Sequence, residues 1–295
     1  MDVVLASCLH LPEPDFDSVP LERAIADRGL SVDVRGWDDP AARWDDARIV
    51  VLRATWNYPE HPRAFAGWVA GVSKQTTLLN DPDVVRWNVH KRYLLDLEAA
   101  GVPTTPTEVL PAGASDTLRD VLDRRGWDDV VVKPAVSAAS FKTMHVTPSR
   151  AAEGEAHLRS LLSERDVLIQ PYLRSVEGHG ERALVWVDGQ LTHSVRKTPR
   201  WDGEDESVST EAMPISDAER AVAEQAVDAA LRHGDLLYAR IDVAPGPDGT
   251  PVVMELELIE PSLFFPQGPA ALIRYVDALE RRLRATRMAD STTPA

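Results

Sequence analysis

The chain has 295 residues, 44% of them hydrophobic, 27% charged and 6% aromatic, which favours about two globular domains and excludes disordered, collagen-like and low-complexity classes. Its 32 Lys plus Arg against 47 Asp plus Glu give a formal net charge of -15, so a nonspecific nucleic-acid or anionic-membrane binder is excluded and an anionic ligand needs a local cationic pocket. No window approaches the roughly 18 apolar residues of a membrane span, no signal peptide opens the chain, and a cytoplasmic protein without membrane or nucleic-acid partners is expected.

The apolar run Val3–Ser7 predicts a buried first strand. The single cysteine, Cys8, follows it and reads as a core hydrophobe rather than a nucleophile. A helix over 20–28 and strands over 32–34 and 49–53 continue the rhythm of an α/β layer. The turn after the first strand carries no G-x-G-x-x-G, which argues against a Rossmann dehydrogenase. Arg53-Ala-Thr-Trp-Asn-Tyr58 closes the third strand with polar and aromatic groups at the cleft end of the layer. Arg53 is there a candidate for a substrate carboxylate, a surface arginine beside a core Trp56 being the alternative.

Asp81-Pro82 begins a pattern of Val84, Val85, Trp87, Leu94, Leu95 and Leu97 that closes at Gly101-Val102-Pro103, predicting one long helix with Lys91 inside it. Val130–Pro134 is a β-branched strand, held extended at Lys133 because proline follows. Ala135–Thr143 is small and hydroxyl-bearing, as in a mobile loop. Asp166–Leu173 reads as a strand running into an extended link, since Pro171 blocks a helix.

Arg182–Lys197 splits around Asp188-Gly189, a hairpin signal, and Trp201–Ser209 reads as a polar loop. Ser216–Arg232 is a helix opened by the capping box Ser216-x-x-Glu219. Leu237–Val243 and Val252–Ile259 form a second hairpin through Pro245–Gly249. A last helix over 269–284 leads into a Ser/Thr/Pro tail expected to be disordered.

The second hairpin carries chemistry. Glu255 and Glu257 share one strand face, with Met254, Leu256 and Leu258 on the other, and Asp242 can lie opposite from the partner strand. Three clustered acids repel unless a cation neutralises them, and oxygen ligation suits a hard ion such as Mg²⁺; a solvated acidic face is the alternative. Only five of the 32 cationic residues are lysines, at 74, 91, 133, 142 and 197, so each retained ammonium draws attention. Lys91 and Lys133 could hold the phosphates of a nucleotide, and Gln170 with its extended neighbours offers an amide and backbone groups for an adenine edge.

Taken in order, Asn88-Val-His-Lys91, Val-Val-Lys133-Pro134, Ile169–Leu173, Gly180-Glu181-Arg182, Arg240-Ile-Asp242 and Glu255-Leu-Glu257-Leu-Ile-Glu260-Pro261 resemble the ATP-grasp ligases over 83–270. Within them the chain is similar to the glutathione-synthetase-like branch and its O-ureido-serine cyclo-ligases of cycloserine biosynthesis. The resemblance implies an α/β fold with an N-terminal α/β layer over 1–82 and two α+β subdomains, 83–165 and 166–287, holding ATP between them. A disordered tail over 288–295 would follow.

It further implies that Lys91 and Lys133 contact the ATP phosphates, with Ser137 and Ser140 closing over them, and that Gln170, Tyr172 and Leu173 hold adenine. Glu177, or else Glu181, takes the ribose, and Asp242, Glu255 and Glu257 hold two Mg²⁺ ions, for which Mn²⁺ can substitute. Arg240, together with Lys133, faces the transferred phosphoryl, while Arg182 and Lys197 join Arg53 as contacts for a small amino-acid-like substrate. Two departures stand out: Glu257 replaces the family's usual Asn, and Ala138, Ala139, Ser137 and Ser140 replace glycines in the phosphate loop.

The implied reaction phosphorylates a carboxylate with ATP and joins the acyl phosphate to an amine, releasing ADP and phosphate, in an antibiotic-biosynthetic cyclisation. An intermolecular dipeptide or amide ligase, a phosphate-retaining kinase and a non-catalytic ATP-binding sensor are the alternatives. A homo-oligomer is compatible with all of them. No G-x-S-x-G or cysteine triad competes for the chemistry.

Overall fold

The computed structural model describes residues 1–138, 140–198 and 207–291, with side chains as far as 286; Ala139, most of the expected 201–209 loop and the last four tail residues lie outside the described residues. The first layer is a parallel sheet of β1 (Val3–Ser7), β2 (Val32–Gly36), β3 (Ile49–Leu52) and β4 (Thr77–Leu79), in the order β2-β1-β3-β4. Helices α1 (Ser18–Ala26) and α2 (Pro62–Val72) connect the strands. Strand order reverses between β1 and β3, so the segments after them face the crevice where ligands of such sheets bind.

The expected long helix over 81–101 is two: α3 (Pro82–Asn88) and α4 (Tyr93–Ala99), with Lys91 in the break. The cause lies in the neighbouring edge strand. Asn88 Nδ2 donates to the Leu256 carbonyl at 2.8 Å, Leu258 N donates to Asn88 Oδ1 at 3.1 Å, and Leu256 N donates to the Tyr93 hydroxyl at 3.0 Å. Side chains on either side of the break thus satisfy backbone groups that an open sheet edge would leave to water. Inside the break, Lys91 N donates to the Ala135 carbonyl at 2.7 Å instead of to its own helix.

A second, antiparallel sheet follows, in the order β5-β8-β6-β7, from β5 (Glu108–Leu110), β6 (Val130–Pro134), β7 (Met144–Val146) and β8 (Val167–Pro171), packed on α5 (Leu118–Arg125) and α6 (Ala151–Leu162). Helix α5 begins at a capping box of Thr117 and Asp120 and ends at Gly126, whose φ of 69° is the left-handed stop that glycine takes without strain.

The short helix α7 (Ser175–His179) leads to the largest sheet: β9 (Glu181–Val187), β10 (Gln190–Thr198), β11 (Ser207–Val208), β12 (Tyr238–Pro245) and β13 (Pro251–Glu257), antiparallel in the order β11-β10-β9-β12-β13. Its alternating residues pack two ways. Leu184, Trp186, Ile241 and Leu256 meet α8 (Asp217–Leu231) and α4, while Val185, Val187 and Tyr238 meet Tyr275 and Leu279 of α9 (Pro269–Ser291) and the first layer. The α8 capping box of Ser216 and Glu219 forms as its sequence predicts. Helix α9 continues to Ser291, so residues 288–291 of the expected disordered tail are helical.

Asn80, fully buried, docks the first layer on this sheet: its amide donates to the carbonyls of Tyr238 and Leu258, and its oxygen accepts from Leu237 N. Among the described residues no helix is long and apolar enough to cross a membrane.

Candidate active site

A cavity of about 830 Å³ opens where the three sheets meet. From β8 and the link after it come Gln170, Tyr172 and Leu173. Gln170 Nε2 donates to the Thr107 hydroxyl at 3.0 Å, and Tyr172 N to the Asp129 carbonyl at 2.8 Å, which holds the link extended. His145 lies against Tyr172 with ring centroids 4.0 Å apart and lines the same wall.

Of the two carboxylates expected at the ribose, Glu181 lines the cavity; Glu177 is absent from its wall and bonds the Tyr172 hydroxyl. Ser137 and Ser140 line the cavity from the loop after β6. Ser140 and Lys142 have φ of 57° and 50°, so the loop takes left-handed backbone at two positions without the glycines that adopt it most easily.

The cations and carboxylates interlock. In β12 and β13, Asp242 is the register partner of Glu255 and Arg240 of Glu257, as the hairpin pattern predicts. Lys91 Nζ pairs with Glu255, and Lys133 Nζ lies 4.0 Å from the same carboxylate. Arg240 grips Asp242 through two bonds of 2.9 Å and also pairs with Glu257. Lys197 Nζ lies 2.6 Å from Asp242 and 3.2 Å from Glu181. Consequently Asp242 is not itself on the cavity wall, and among the described residues no three carboxylate, His or Cys groups converge tightly enough to hold a metal as they stand.

Burial lowers both lysine ammoniums, Lys91 to about 7 with Lys133 adding repulsion. Asp242 goes the other way: burial opposes its ionisation, but Arg240 and Lys197 outweigh that and hold its carboxyl at about 2.

Met254 corrects the expected strand face. The register of β12 and β13 slips between Asp242 and Val243, so Met254 is an extra residue in a β-bulge. It leaves the face of Leu256 and Leu258, lines the cavity and packs by Leu173 and Val176.

Two expected substrate contacts are elsewhere. Arg53 is 2% exposed, lies over the rings of Tyr238 and Phe265, and pairs with Asp17 at 3.3 Å while donating to the Pro261 carbonyl. Arg182 is buried against Ser194, the Pro214 carbonyl and Glu219. Neither lines the cavity, because both sit in the packing behind it. Instead, Glu13, Trp56, Tyr58, Glu260 and Ser262 complete the wall. Of these, the sequence flagged Trp56 and Tyr58 by their place after β3 and named Glu260 in the carboxylate motif without giving it a role. Burial and the nearby Glu257 push the Glu260 carboxyl up to about 8.

Residues 3–80 match the family model described as D-cycloserine synthetase DcsG, N-terminal domain. The chain is 34% identical over 284 residues to the cycloserine biosynthesis protein DcsG of Streptomyces lavendulae, covering 92% of this chain and 95% of that protein. It is similar to the crystal structure of D-cycloserine synthetase DcsG with a TM-score of 0.89 and 33% identity, over 96% of this chain and 100% of that one. The D-alanine–D-alanine ligase from Bacillus anthracis shares the fold, with a TM-score of 0.69 at 16% identity, over 98% and 99% of the two chains.

Proposed function

The chain belongs to the family of D-cycloserine synthetase DcsG and is an ATP-grasp ligase, and from that membership we propose that it uses ATP to activate a small amino-acid-like carboxylate and closes it onto an amine of the same molecule. The observation that carries the reading is one cavity lined by an extended adenine-type hinge, two lysines and a carboxylate strand. Gln170, Tyr172 and Leu173 hold the base, and Glu181 takes the ribose in place of the expected Glu177. Lys91 and Lys133 hold the phosphates, with Ser137 and Ser140 over them.

Asp242, Glu255 and Glu257 offer only oxygen donors on two paired strands, a set whose chemistry fits a hard divalent cation. These three residues would hold Mg²⁺, as two ions and with Mn²⁺ able to substitute. When bound, the metal supplies charge neutralisation on the transferring phosphoryl. Lys91 and Lys133, which pair with Glu255 in this structure, are the cations placed to meet the phosphates. Lys197 and Arg240 stabilise the negative charge that develops as the carboxylate takes the phosphoryl group. An amine held in the same closed cavity then displaces phosphate from the acyl phosphate, and exclusion of water protects that intermediate.

The test is release of ADP and phosphate from Mg-ATP with single amino acids, including both enantiomers of O-ureidoserine, beside a Glu255→Ala control. Release with one substrate alone, lost in the control, supports the cyclo-ligase. Release only when a second amine is added would make the enzyme an intermolecular ligase.

A further inference from the structure

The stretch that follows β13 is irregular backbone, yet it is held at every step by side chains. The carbonyls of Leu258, Ile259, Glu260, Pro261 and Ser262 accept, in order, from Asn80 Nδ2 at 2.8 Å, the Tyr238 hydroxyl at 2.8 Å, Trp56 Nε1 at 2.9 Å, Arg53 at 3.2 Å and Arg240 at 3.4 Å. The next three amides, of Leu263, Phe264 and Phe265, all donate to the Asp17 carboxylate. Eight consecutive residues are therefore fixed without a strand or helix partner, and Glu260 and Ser262 among them line the cavity, Glu260 being the one with an ionisable side chain.

Glu260 is 6% exposed and its carboxyl bonds the hydroxyl of Tyr58, itself 4% exposed and stacked on Phe65. Lys91 and Arg240, whose charges reach it, are bonded to Glu255, Glu257 and Asp242, and among the described residues no cation pairs with Glu260. A rigidly presented, buried carboxylate on a cavity wall, lacking its own cation and standing near Glu257, is complementary to a small cation that arrives with the ligand.

The geometry points to Glu260, steadied by Tyr58, as the group that receives the free ammonium of the substrate, so that the enzyme takes an amino acid with an unblocked amine and rejects its N-acylated form. This rests on the ligase reading above and deepens it: the lysines and arginine of the cavity handle phosphates and the carboxylate, and the Tyr58–Glu260 wall fixes the ammonium beside that carboxylate. The stretch over 258–265 is then a positioning element, and Arg53 and Asp17 act through it rather than on substrate.

The experiment measures ADP release with free and N-acetylated O-ureidoserine for wild type, Glu260→Gln and Tyr58→Phe, varying the acid and ATP separately. We expect wild type to use the free amine and not the acetylated one. Glu260→Gln should raise the KM for the free acid about 100-fold, the scale of losing one partner of a buried charge pair, while leaving the KM for ATP within about two-fold. Its preference for the free amine should vanish, and Tyr58→Phe should move the same way by less. Equal use of the acetylated acid by wild type, an unchanged KM for the acid in Glu260→Gln, or a parallel rise in the KM for ATP would each overturn the assignment. A wild-type enzyme that releases no ADP with any free amino acid would instead sink the ligase reading, and this one with it.

Discussion

Arg53 separates two accounts of the cavity wall, because a substrate arginine and a structural arginine fail differently. The Asp17 carboxylate accepts three backbone amides, from Leu263, Phe264 and Phe265, and pairs with Arg53 in a site where both side chains are 2% exposed. Asp17→Ala would leave a buried guanidinium without its anion and three amides without acceptors. Breaking a buried pair from one side costs about 3–5 kcal/mol, a large share of a typical stability of about 5–15 kcal/mol. At roughly 2 °C of melting temperature per kcal/mol for a chain of this size, the midpoint should fall by about 6–10 °C. Arg53→Met, which removes the charge but keeps an apolar stem over Tyr238 and Phe265, should cost less than Asp17→Ala. The assay is thermal unfolding together with Michaelis constants measured well below the midpoint. The reasoning is refuted if Arg53→Met leaves the melting temperature unchanged and raises the KM for the amino acid by 10-fold or more, since that is how a substrate-carboxylate contact behaves.

Two further predictions follow from buried titratable groups. Burial pushes the Cys8 thiol up to about 11, and its Sγ bonds Asn57 Oδ1 at 3.1 Å, so the folded enzyme should resist iodoacetamide at pH 8 and react fully after denaturation. Mass spectrometry reads both states, and rapid native alkylation without loss of fold would contradict the burial. Glu260, held near 8 by burial and Glu257 against an ordinary 4.5, keeps a proton in the folded chain that the unfolded chain has released. Its contribution to stability is present below pH 4.5 and is lost as pH rises through 8, at most about 1.4 kcal/mol per pH unit. Glu260→Gln should flatten that part of the stability profile, and an unchanged slope would show that another group sets it.

Where a feature depended on local pattern, the sequence carried it. Asp188-Gly189 and Pro245–Gly249 announced the two hairpins, and alternation across the second placed Asp242 opposite Glu255. Failures came where a distant partner overrode the pattern. Periodicity through 81–101 is genuinely helical, but Asn88 and Tyr93 are drawn to the edge of β13 and the helix parts between them. The bulge at Met254 leaves no trace in an alternating Met-Glu-Leu-Glu string, since it appears only as a slip against β12. Strands as short as β5 and β7 show too few residues for a period, whereas α5 was open to recognition from Thr117-x-x-Asp120 and Gly126.

The site divided along the same line. The expected lysines, extended link and carboxylates lie on elements whose order is legible in the sequence, and most of these residues line one cavity. Arginine chemistry is ambiguous in sequence, because a guanidinium that clamps backbone carbonyls and one that grips a substrate carboxylate look alike until their partners are known. Arg53 and Arg182 prove to be of the clamping kind. Glu260 stood in the carboxylate motif without a role of its own, because its significance comes from Tyr58 and from the bonds that fix 258–265, none of them local in sequence.

The central claim is that the substrate carboxylate passes through an acyl phosphate in this cavity, and isotope transfer addresses it most directly. With substrate carrying ¹⁸O in both carboxylate oxygens, one labelled oxygen bridges to phosphorus and leaves with it when the amine attacks. Mass spectrometry of the released phosphate should therefore show one ¹⁸O per turnover. Unlabelled phosphate accompanying product formation would contradict the account.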